Sequence, residues 1–407
     1  MYIQRERYLK KIRPYYDVDL IKVLTGVRRC GKSILLEQIR DEFIKNGFDE
    51  SHIIYINFED LQYDKICTVK KLNNFMMKKI KDDKKYLIFL DEIQHVRNFE
   101  KALASFRVAI NSNIFVTGSN SKLLSGKLAT LLVGRCIEFK IMPFTFLESY
   151  EYNKLIGKKL NPDEFIFDYI KWGGLPLRFS FSNDADIKRY IEQAYDGILN
   201  KDIINEKSKI NRQSFEKVAT FLLSNAGNDF SYKSIEKYFK VNNEEVLEKK
   251  TIYRYIDKME KACLLNRVKR FNIVGKNSMS YIEKQYVVDT GFRMINTNFV
   301  TFENTFFLEN IIYNELVSRD YEVFVGKTYN SEVDFVVIKG NTKCYIQVSY
   351  YLINKETIDR EFNALKQIRD ASPKYVLSLD KFDFSRDGIK HINIVNFLLE
   401  KEELYLS

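Results

Sequence analysis

The chain has 407 residues, 45% hydrophobic and 29% charged, which is enough for roughly two to four folded domains, since single cores rarely exceed about 300 residues. No apolar run approaches the roughly 18–20 residues that cross a bilayer, and the N-terminus lacks a signal-peptide core, so we expect a cytoplasmic protein with no membrane partner. Five scattered cysteines and three histidines argue against a disulfide framework or a zinc site, whereas the net charge of +10 permits attraction to nucleic acid.

The first strong motif is the segment 26–33, GVRRCGKS, which matches the phosphate-loop pattern G-x-x-x-x-G-K-[ST] in full. An apolar run precedes it and apolar residues at helical spacing follow it, so its context is strand, loop and helix. In such a loop, backbone N–H groups face phosphates, Lys32 reaches the β- and γ-phosphates, and the Ser33 hydroxyl is a ligand for Mg²⁺. The predicted nucleotide-binding residues are Gly26, Val27, Arg28, Arg29, Cys30, Gly31, Lys32, Ser33 and Ile34.

A second motif follows downstream, where the apolar segment 86–90 ends in two carboxylates, Asp91 and Glu92. This order is the Walker B arrangement of nucleotide hydrolases. Asp91 is predicted to hold Mg²⁺ directly or through water, and Glu92 to act as general base or to position the attacking water. The alternative is that the two acids only cap the helix that follows.

A further strand, 114–117, leads into Gly118, Ser119 and Asn120. The residue just past a parallel strand faces the ligand crevice, so Ser119 or Asn120 is predicted to sense the γ-phosphate or orient the water; the alternative is a helix N-cap at Ser119 or Ser121. After a predicted helix over 122–133, Arg135 is a candidate for contacting the γ-phosphate of a neighbouring subunit in a homo-oligomer. Otherwise it is a solvated partner of the helix dipole.

Strands alternate with helices through residues 1–145, which predicts an α/β domain with a parallel sheet and right-handed crossovers. From residue 146 the pattern becomes helical, and residues 146–205 are expected to form a helical lid. The segment 172–176, WGGLP, must turn sharply, because glycine tolerates positive φ and proline ends the preceding helix. It is either part of a lid over the nucleotide or a plain turn between helices.

Residues 206–288 offer three helical patterns and two strand-like runs, which predict a winged-helix domain. The third helix is basic, and Tyr253 and Tyr255 interleave its charges, so it is a candidate for the major groove of duplex DNA. The alternatives are a protein contact or a solvated face. Its basic residues are Lys249, Lys250, Arg254, Lys258 and Lys261.

Residues 289–407 are predicted to form a C-terminal α/β module, for which a metal-dependent nuclease is one hypothesis. Such an enzyme of the PD-(D/E)xK type needs an aspartate on its second strand and Glu-x-Lys on its third. Asp334 is present and Glu309 is a candidate helper, but the third strand carries Gln347 and Ser349 at the Glu and Lys positions. We therefore expect this module to be catalytically inactive.

These motifs resemble those of the AAA-like P-loop ATPases of archaea and bacteria that end in an uncharacterised, restriction-endonuclease-like domain. The resemblance implies an ATPase core, a helical lid, a winged helix and a nuclease-like module. The leading hypothesis is an ATPase whose Mg²⁺-dependent hydrolysis of ATP changes the conformation of the attached modules; the alternatives are a nucleotide-controlled DNA-binding switch or a metal-dependent nuclease. The segments that carry the resemblance are 26–33, 87–94, 116–119, 134–135, 172–176, 251–256, 288–291 and 332–335.

Overall fold

The computed structural model describes residues 2–119, 132–204, 210–242, 244, 246–275, 277–297, 304–328 and 331–406. The chain divides into two compact units, one of Met1–Ile141 with Lys261–Cys263 and one of Met142–Glu260 with Leu264–Ser407. Within the described ranges, no helix is long and apolar enough to cross a membrane. The predicted four-part division at residues 145, 205 and 288 is finer than these two units and stays a prediction.

A parallel sheet forms the centre of the first unit. Its strands, among the described residues, are β1 (Ile21–Thr25), β2 (Ile53–Asn57), β3 (Tyr86–Asp91), β4 (Ser112–Gly118) and β5 (Cys136–Lys140). They lie in the order β2-β3-β4-β1-β5, and every pairing is parallel. All residues of β1 and β3 are buried, which explains why these strands are nearly continuous apolar runs. The predicted parallel α/β sheet is therefore confirmed.

The described helices of this unit place their apolar residues against the sheet. Leu35, Leu36 and Ile39, predicted at helical spacing after the phosphate loop, are fully buried. Leu72 and Phe106 join the strand residues in one hydrophobic cluster. The helices are α1 (Glu6–Ile12), α2 (Lys32–Lys45), α3 (Val69–Lys79) and α4 (Phe99–Ala109).

The N-terminal segment is fixed to the phosphate loop by Arg5, which is 1% exposed. Its Nη1 donates to the Cys30 carbonyl at 3.0 Å, and its backbone N–H donates to Gln38 Oε1 at 3.0 Å. Gln38 Nε2 in turn donates to the Ile3 carbonyl at 2.7 Å. The N-terminal segment is therefore hydrogen-bonded to the phosphate loop and to α2, a role that its sequence does not reveal.

The second unit begins with α5 (Phe146–Leu155), α6 (Pro162–Trp172) and α7 (Asp184–Ile198). The predicted sharp turn follows α6, where Gly173 has φ +70° and an added Cβ would lie 1.9 Å from Asp289 Oδ1. Asp289 accepts the N–H of Gly174 at 2.7 Å and that of Gly291 at 2.9 Å. Burial raises the pKa of Asp289 to about 6, although these N–H groups favour its charged form. The turn is thus shaped around one buried carboxylate.

The predicted three helices and hairpin occur in order. The helices are α8 (Arg212–Ser224), α9 (Tyr232–Val241) and α10 (Lys249–Lys261), and a short strand, β6 (Asp229–Phe230), lies between α8 and α9. The hairpin consists of β7 (Leu265–Asn272) and β8 (Asn277–Val287), which pair antiparallel.

The hairpin belongs to a sheet that continues into the C-terminal strands. Those strands are β9 (Glu322–Lys327), β10 (Glu332–Lys339), β11 (Thr342–Val348), β12 (Lys374–Ser378) and β13 (Lys390–Asn393), and the helices are α11 (Thr290–Asn296), α12 (Asn304–Ser318), α13 (Lys355–Lys366) and α14 (Ile394–Leu398). β7 pairs in parallel with β9, so the order is β13-β12-β11-β10-β9-β7-β8-β6. Residue 288 is therefore not a break in the sheet.

Replacing Gly173 with alanine tests the turn. Gly173→Ala should lower the free energy of unfolding of the second unit by about 3 kcal/mol or more, because the new Cβ meets Asp289 and the backbone conformation is one that only glycine adopts readily. Gly197→Ala is the matched control, since a Cβ there meets nothing within 4 Å and alanine favours helix. Urea unfolding followed by the fluorescence of Trp172, the single tryptophan, measures both. Equal midpoints for the two variants would contradict the prediction.

Candidate functional site

The carboxyl ends of three adjacent strands meet at one edge of the parallel sheet. Thr25 at the end of β1 pairs with Gly118 at the end of β4, and Leu90 near the end of β3 pairs with Val116 of β4. The phosphate loop follows β1, the carboxylate pair ends β3, and Ser119 follows β4. The topology thus brings the three predicted motifs to the edge where parallel sheets bind ligands.

The phosphate loop is shaped by two glycines. Gly26 has φ +152°, and an added Cβ would lie 2.2 Å from the Ile141 carbonyl oxygen; Gly31 has φ +97° and lies immediately before α2. Lys32 is 4% exposed and folds back, so that its Nζ donates to the carbonyls of Gly26 at 3.0 Å and Val27 at 3.2 Å. The loop therefore combines a close backbone approach with a buried ammonium.

The other predicted loop residues differ in what they present. Val27 and Cys30 are fully buried, so only their backbone can face a ligand. Arg28 Nη1 pairs with Glu59 Oε1 at 2.9 Å, just after β2. Arg29 and Ile34 are exposed, and Ser33 is half-buried in the first turn of α2.

The carboxylate pair is buried and held by Thr117, a residue that the sequence analysis did not select. Asp91 and Glu92 are 0% and 7% exposed. The Thr117 hydroxyl donates to Asp91 Oδ1 and accepts the backbone N–H of Glu92 at 2.9 Å. One hydroxyl on β4 thus fixes the carboxylate of Asp91 and the backbone of Glu92 at the end of β3.

The second oxygen of Asp91, Oδ2, is buried and has no close hydrogen-bond donor among the described residues, although the Tyr55 hydroxyl interacts weakly with this carboxylate. Burial, followed by the negative charge of Asp91, raises the pKa of Tyr55 above its usual range. A buried carboxylate oxygen without a donor is costly unless a cation binds it. The residues present therefore fit Mg²⁺, with Asp91 and the Ser33 hydroxyl as candidate ligands.

Glu92 is linked to Ser119 through Gln94. Glu92 has φ +54°, a left-handed conformation uncommon outside glycine, and such strain is concentrated at functional sites. Gln94 Nε2 donates to Glu92 Oε2 and lies 3.4 Å from Ser119 Oγ. Gln94 is a second site residue that the sequence analysis missed, although its position two residues after Glu92 could have indicated it.

Two predicted residues are not brought into this arrangement. Arg135 is exposed just before β5, where its carbonyl accepts the N–H of Ile21, so it lies at the amino end of the sheet, opposite the phosphate loop. It does not join the other site residues of its own chain, and its role across a subunit interface stays a prediction. Asn120 and most of the predicted helix over 122–133 lie outside the described residues.

The basic helix α10 divides into a buried and an exposed face. Tyr255 is buried with Ile252 and Ile256, so this tyrosine does not interleave the exposed charges as the sequence analysis expected. Lys249, Lys250, Tyr253 and Arg254 are exposed, whereas Lys258 and Lys261 are half-buried. The basic surface is therefore concentrated in the first half of the helix.

The residues that the nuclease hypothesis selected, Asp334 and Glu309, lie in a buried cluster of charged side chains. Asp334 Oδ2 accepts the Val348 N–H at 2.7 Å, and Gln347 Oε1 accepts the Asp334 N–H at 3.2 Å. Burial and the charge of Glu309 raise the pKa of Asp334 well above its usual range. Lys284 of β8, which the sequence analysis missed, completes the cluster.

The Lys284 ammonium lies 3.0 Å from Glu309 Oε1 and 2.7 Å from Glu332 Oε1. Although burial opposes its charge, these acids and Asp334 raise the pKa of Lys284 above its usual range. Among the described residues, no group of three or more His, Cys, Asp or Glu side chains is arranged to hold a metal ion. The charged side chains of this cluster are therefore paired with one another.

Comparisons with known proteins assign an AAA domain to the N-terminal part of the chain. The family model described as an AAA domain matches residues 19–150, and a domain of unknown function matches residues 163–300. The Walker-type ATPase of Pyrococcus abyssi is similar over 73% of this chain and 96% of that chain, with 17% identity and a TM-score of 0.49. The AAA domain and its phosphate loop define the chain as an ATP-binding P-loop ATPase.

Full-length relatives identify the family. An uncharacterized protein of Haemophilus influenzae is 33% identical over 98% of this chain and 99% of its own length. An uncharacterized protein of Methanocaldococcus jannaschii is 32% identical over 92% of this chain and 84% of its own length. The chain belongs to the family of these two proteins.

Thr117→Val tests the hydroxyl that joins the two acids. Valine has the shape of threonine but cannot form the hydrogen bonds to Asp91 and Glu92. We therefore expect kcat for ATP hydrolysis to fall about 10-fold or more, which is the usual loss when a residue that orients a metal ligand is replaced. Thr117→Ser keeps a hydroxyl and should retain most of the rate. Steady-state phosphate release measures both, and equal rates in wild type and Thr117→Val would contradict the assignment.

Proposed function

We propose that the chain hydrolyses ATP with Mg²⁺ and that hydrolysis drives a conformational change in the winged-helix and nuclease-like modules. The observation that carries the proposal is the buried pair Asp91 and Glu92, held by Thr117 at the same sheet edge as the phosphate loop. Only hydrolysis, and not simple binding, requires an acid beside the nucleotide metal ligand.

Each residue then has a defined task. Lys32 and the loop N–H groups bind the β- and γ-phosphates. Asp91 and Ser33 would hold Mg²⁺, which neutralises phosphate charge when bound. Glu92 positions the attacking water and accepts its proton, Gln94 holds the Glu92 carboxylate in place, and Ser119 senses the γ-phosphate through the same amide.

Two substitutions separate binding from hydrolysis. Lys32→Ala should weaken ATP binding, because the loop loses its only ammonium contact with phosphate. Glu92→Gln should keep ATP binding but lower kcat about 100-fold or more, because an amide cannot accept the proton of the water. Phosphate release under Mg²⁺ and binding of a fluorescent ATP analogue measure the two effects.

The matched controls are Lys45→Ala in the last turn of α2 and Glu50→Gln after it, both at exposed positions. They should behave like wild type. Equal hydrolysis by wild type, Lys32→Ala and Glu92→Gln would contradict the proposal and show that any measured activity comes from another source.

A nucleotide-controlled DNA-binding switch is the second candidate, favoured by the exposed basic half of α10. Lys249, Lys250 and Arg254 are exposed there beside Tyr253, whose ring lies 5.8 Å from the Lys249 ammonium. Neighbouring cations and an aromatic ring suit contact with a phosphate backbone. A winged-helix module would present such a helix to duplex DNA.

Duplex DNA binding tests this second function. Lys250→Ala combined with Arg254→Ala should weaken binding about 10-fold at low salt and make the salt dependence shallower, because fewer counterions are released. Lys70→Ala combined with Lys71→Ala on α3 is the matched control, since both lysines are exposed on another helix. Fluorescence anisotropy over a salt series measures the effect, and identical curves for the two double variants would exclude a specific role for α10.

We assign no nuclease activity to the C-terminal module. Gln347 and Ser349 supply neither a carboxylate nor an ammonium, and Glu309 and Glu332 are already paired with Lys284 and, for Glu332, with Arg270 as well. A homo-oligomer in which Arg135 contacts a neighbouring nucleotide, and a cytoplasmic location, complete the proposal.

A further inference from the structure

The helical part of the second unit contains a cavity that the ATPase function does not use. It has a volume of about 320 Å³ and lies between α5, α6 and the segment that leads into α7. Small-molecule sites commonly begin at about 300 Å³, whereas one water occupies about 30 Å³ in the liquid. The cavity is therefore large enough for a small organic molecule.

One end of the cavity is formed by a buried arginine with donors to spare. Arg178 is 2% exposed, its Nε donates to the Gly173 carbonyl at 2.6 Å, and its Nη1 donates to Asp168 Oδ2 at 3.0 Å. Nη2 is also 3.0 Å from that oxygen but makes no hydrogen bond. A guanidinium has five N–H donors in a planar fork, so Arg178 can receive a second anionic group.

The charged rim of the cavity is slightly positive. Lys158 and Lys159 are exposed, and the Lys158 ammonium lies 3.5 Å from the Phe179 carbonyl. Of the three acids in the wall, Asp168 is paired with Arg178, and Asp184 is bound by Lys171 at 2.5 Å and by Trp172 Nε1 at 3.0 Å. Glu164, which is exposed at the rim, is the remaining acid, and its single negative charge is outweighed by the two positive charges of Lys158 and Lys159. The excess positive charge favours an anion.

The remaining wall is apolar and aromatic. Phe165 and Phe179 are 5% and 4% exposed, and the guanidinium of Arg178 lies 4.0 Å from the ring centroid of Phe179. Phe181 and Ile187 also face the cavity. An apolar group that binds here is removed from water, which favours binding. An anionic group attached to it would contact Arg178.

We propose that this cavity binds a small organic carboxylate, with the carboxylate on Arg178 and the rim lysines and an aryl or alkyl group against the phenylalanines. All residues that line this cavity belong to the second unit, and the proposal does not rest on ATP hydrolysis. The ligand carries one negative charge and an apolar group. An inorganic anion would contact the cationic side chains but not the apolar wall.

The probe is 3-phenylpropionate, with its uncharged amide as the matched compound, titrated calorimetrically into the full-length chain. The acid should bind saturably and at least about 10-fold more tightly than the amide, because a charge-assisted bond to a buried guanidinium is the stronger contact. Lys32→Ala should bind the acid like wild type, so failure of the ATPase proposal would not affect this result.

Two variants locate the site. Arg178→Lys should weaken binding of the acid about 10-fold or more, since the planar fork is lost. Because that variant also loses the contact with Gly173, Lys158→Gln combined with Lys159→Gln at the exposed rim provides a second test and should weaken binding about 3-fold or more by removing two charges. Lys70→Ala combined with Lys71→Ala should leave binding unchanged.

Four results would overturn the proposal. Three of them are no saturable binding of the acid by wild type, equal affinity for acid and amide, and affinity for the acid that neither the rim variant nor a folded Arg178→Lys changes. Equally tight binding of inorganic phosphate would also overturn it, because the apolar wall would then contribute nothing.

Discussion

The parallel pairing of β4 between β3 and β1 is the constraint on which the nucleotide site depends. It places the end of β4 beside the carboxylate pair on one side and beside the phosphate loop on the other. The Thr117 hydroxyl can reach both Asp91 and Glu92 only because this register is kept. A shift of one residue would turn that hydroxyl to the opposite face of the sheet, so the strand order determines the chemistry of its edge.

Buried charged groups in this protein differ in whether neighbouring residues supply them with hydrogen-bond partners, and this difference distinguishes structural from functional groups. Lys22 is buried on β1, and its ammonium is satisfied by the Val18 carbonyl at 2.8 Å and Asn113 Oδ1 at 3.1 Å, while burial lowers its pKa to about 8. Lys284 is likewise compensated by Glu309 and Glu332. Asp91 Oδ1 accepts the Thr117 hydroxyl, but Oδ2 has no close donor among the described residues. A buried carboxylate oxygen at a sheet edge that lacks a close donor is better explained by a ligand than by stability.

Local patterns made much of the first unit predictable. The phosphate loop, the carboxylate pair and the buried strands are each encoded within a few consecutive residues, and glycine and periodicity signals identify them. Thr117, Arg5 and Lys284 were missed because their importance arises from contacts with residues distant in sequence. Tyr255 was assigned to the wrong face, since a helical pattern of alternating charges and rings does not show which ring the neighbouring helix covers. The pairing of β7 with β9 has no local signal either.

That pairing limits how the second unit can respond to nucleotide. The hairpin after α10 and the C-terminal strands are hydrogen-bonded into one sheet. Arg270 of β7 reaches across the β7–β9 seam to Glu332 of β10 at 2.8 Å, and its other partner, Asp229, lies on the hairpin side in β6. Lys284 of β8 adds a second link to Glu332. Separating the hairpin from the C-terminal strands would break the contacts of Arg270 and Lys284 with Glu332 and that of Lys284 with Glu309. This is costly because the buried ammonium of Lys284 would lose both of its acidic partners. A conformational change that reaches the hairpin is therefore expected to carry the C-terminal strands with it as one body.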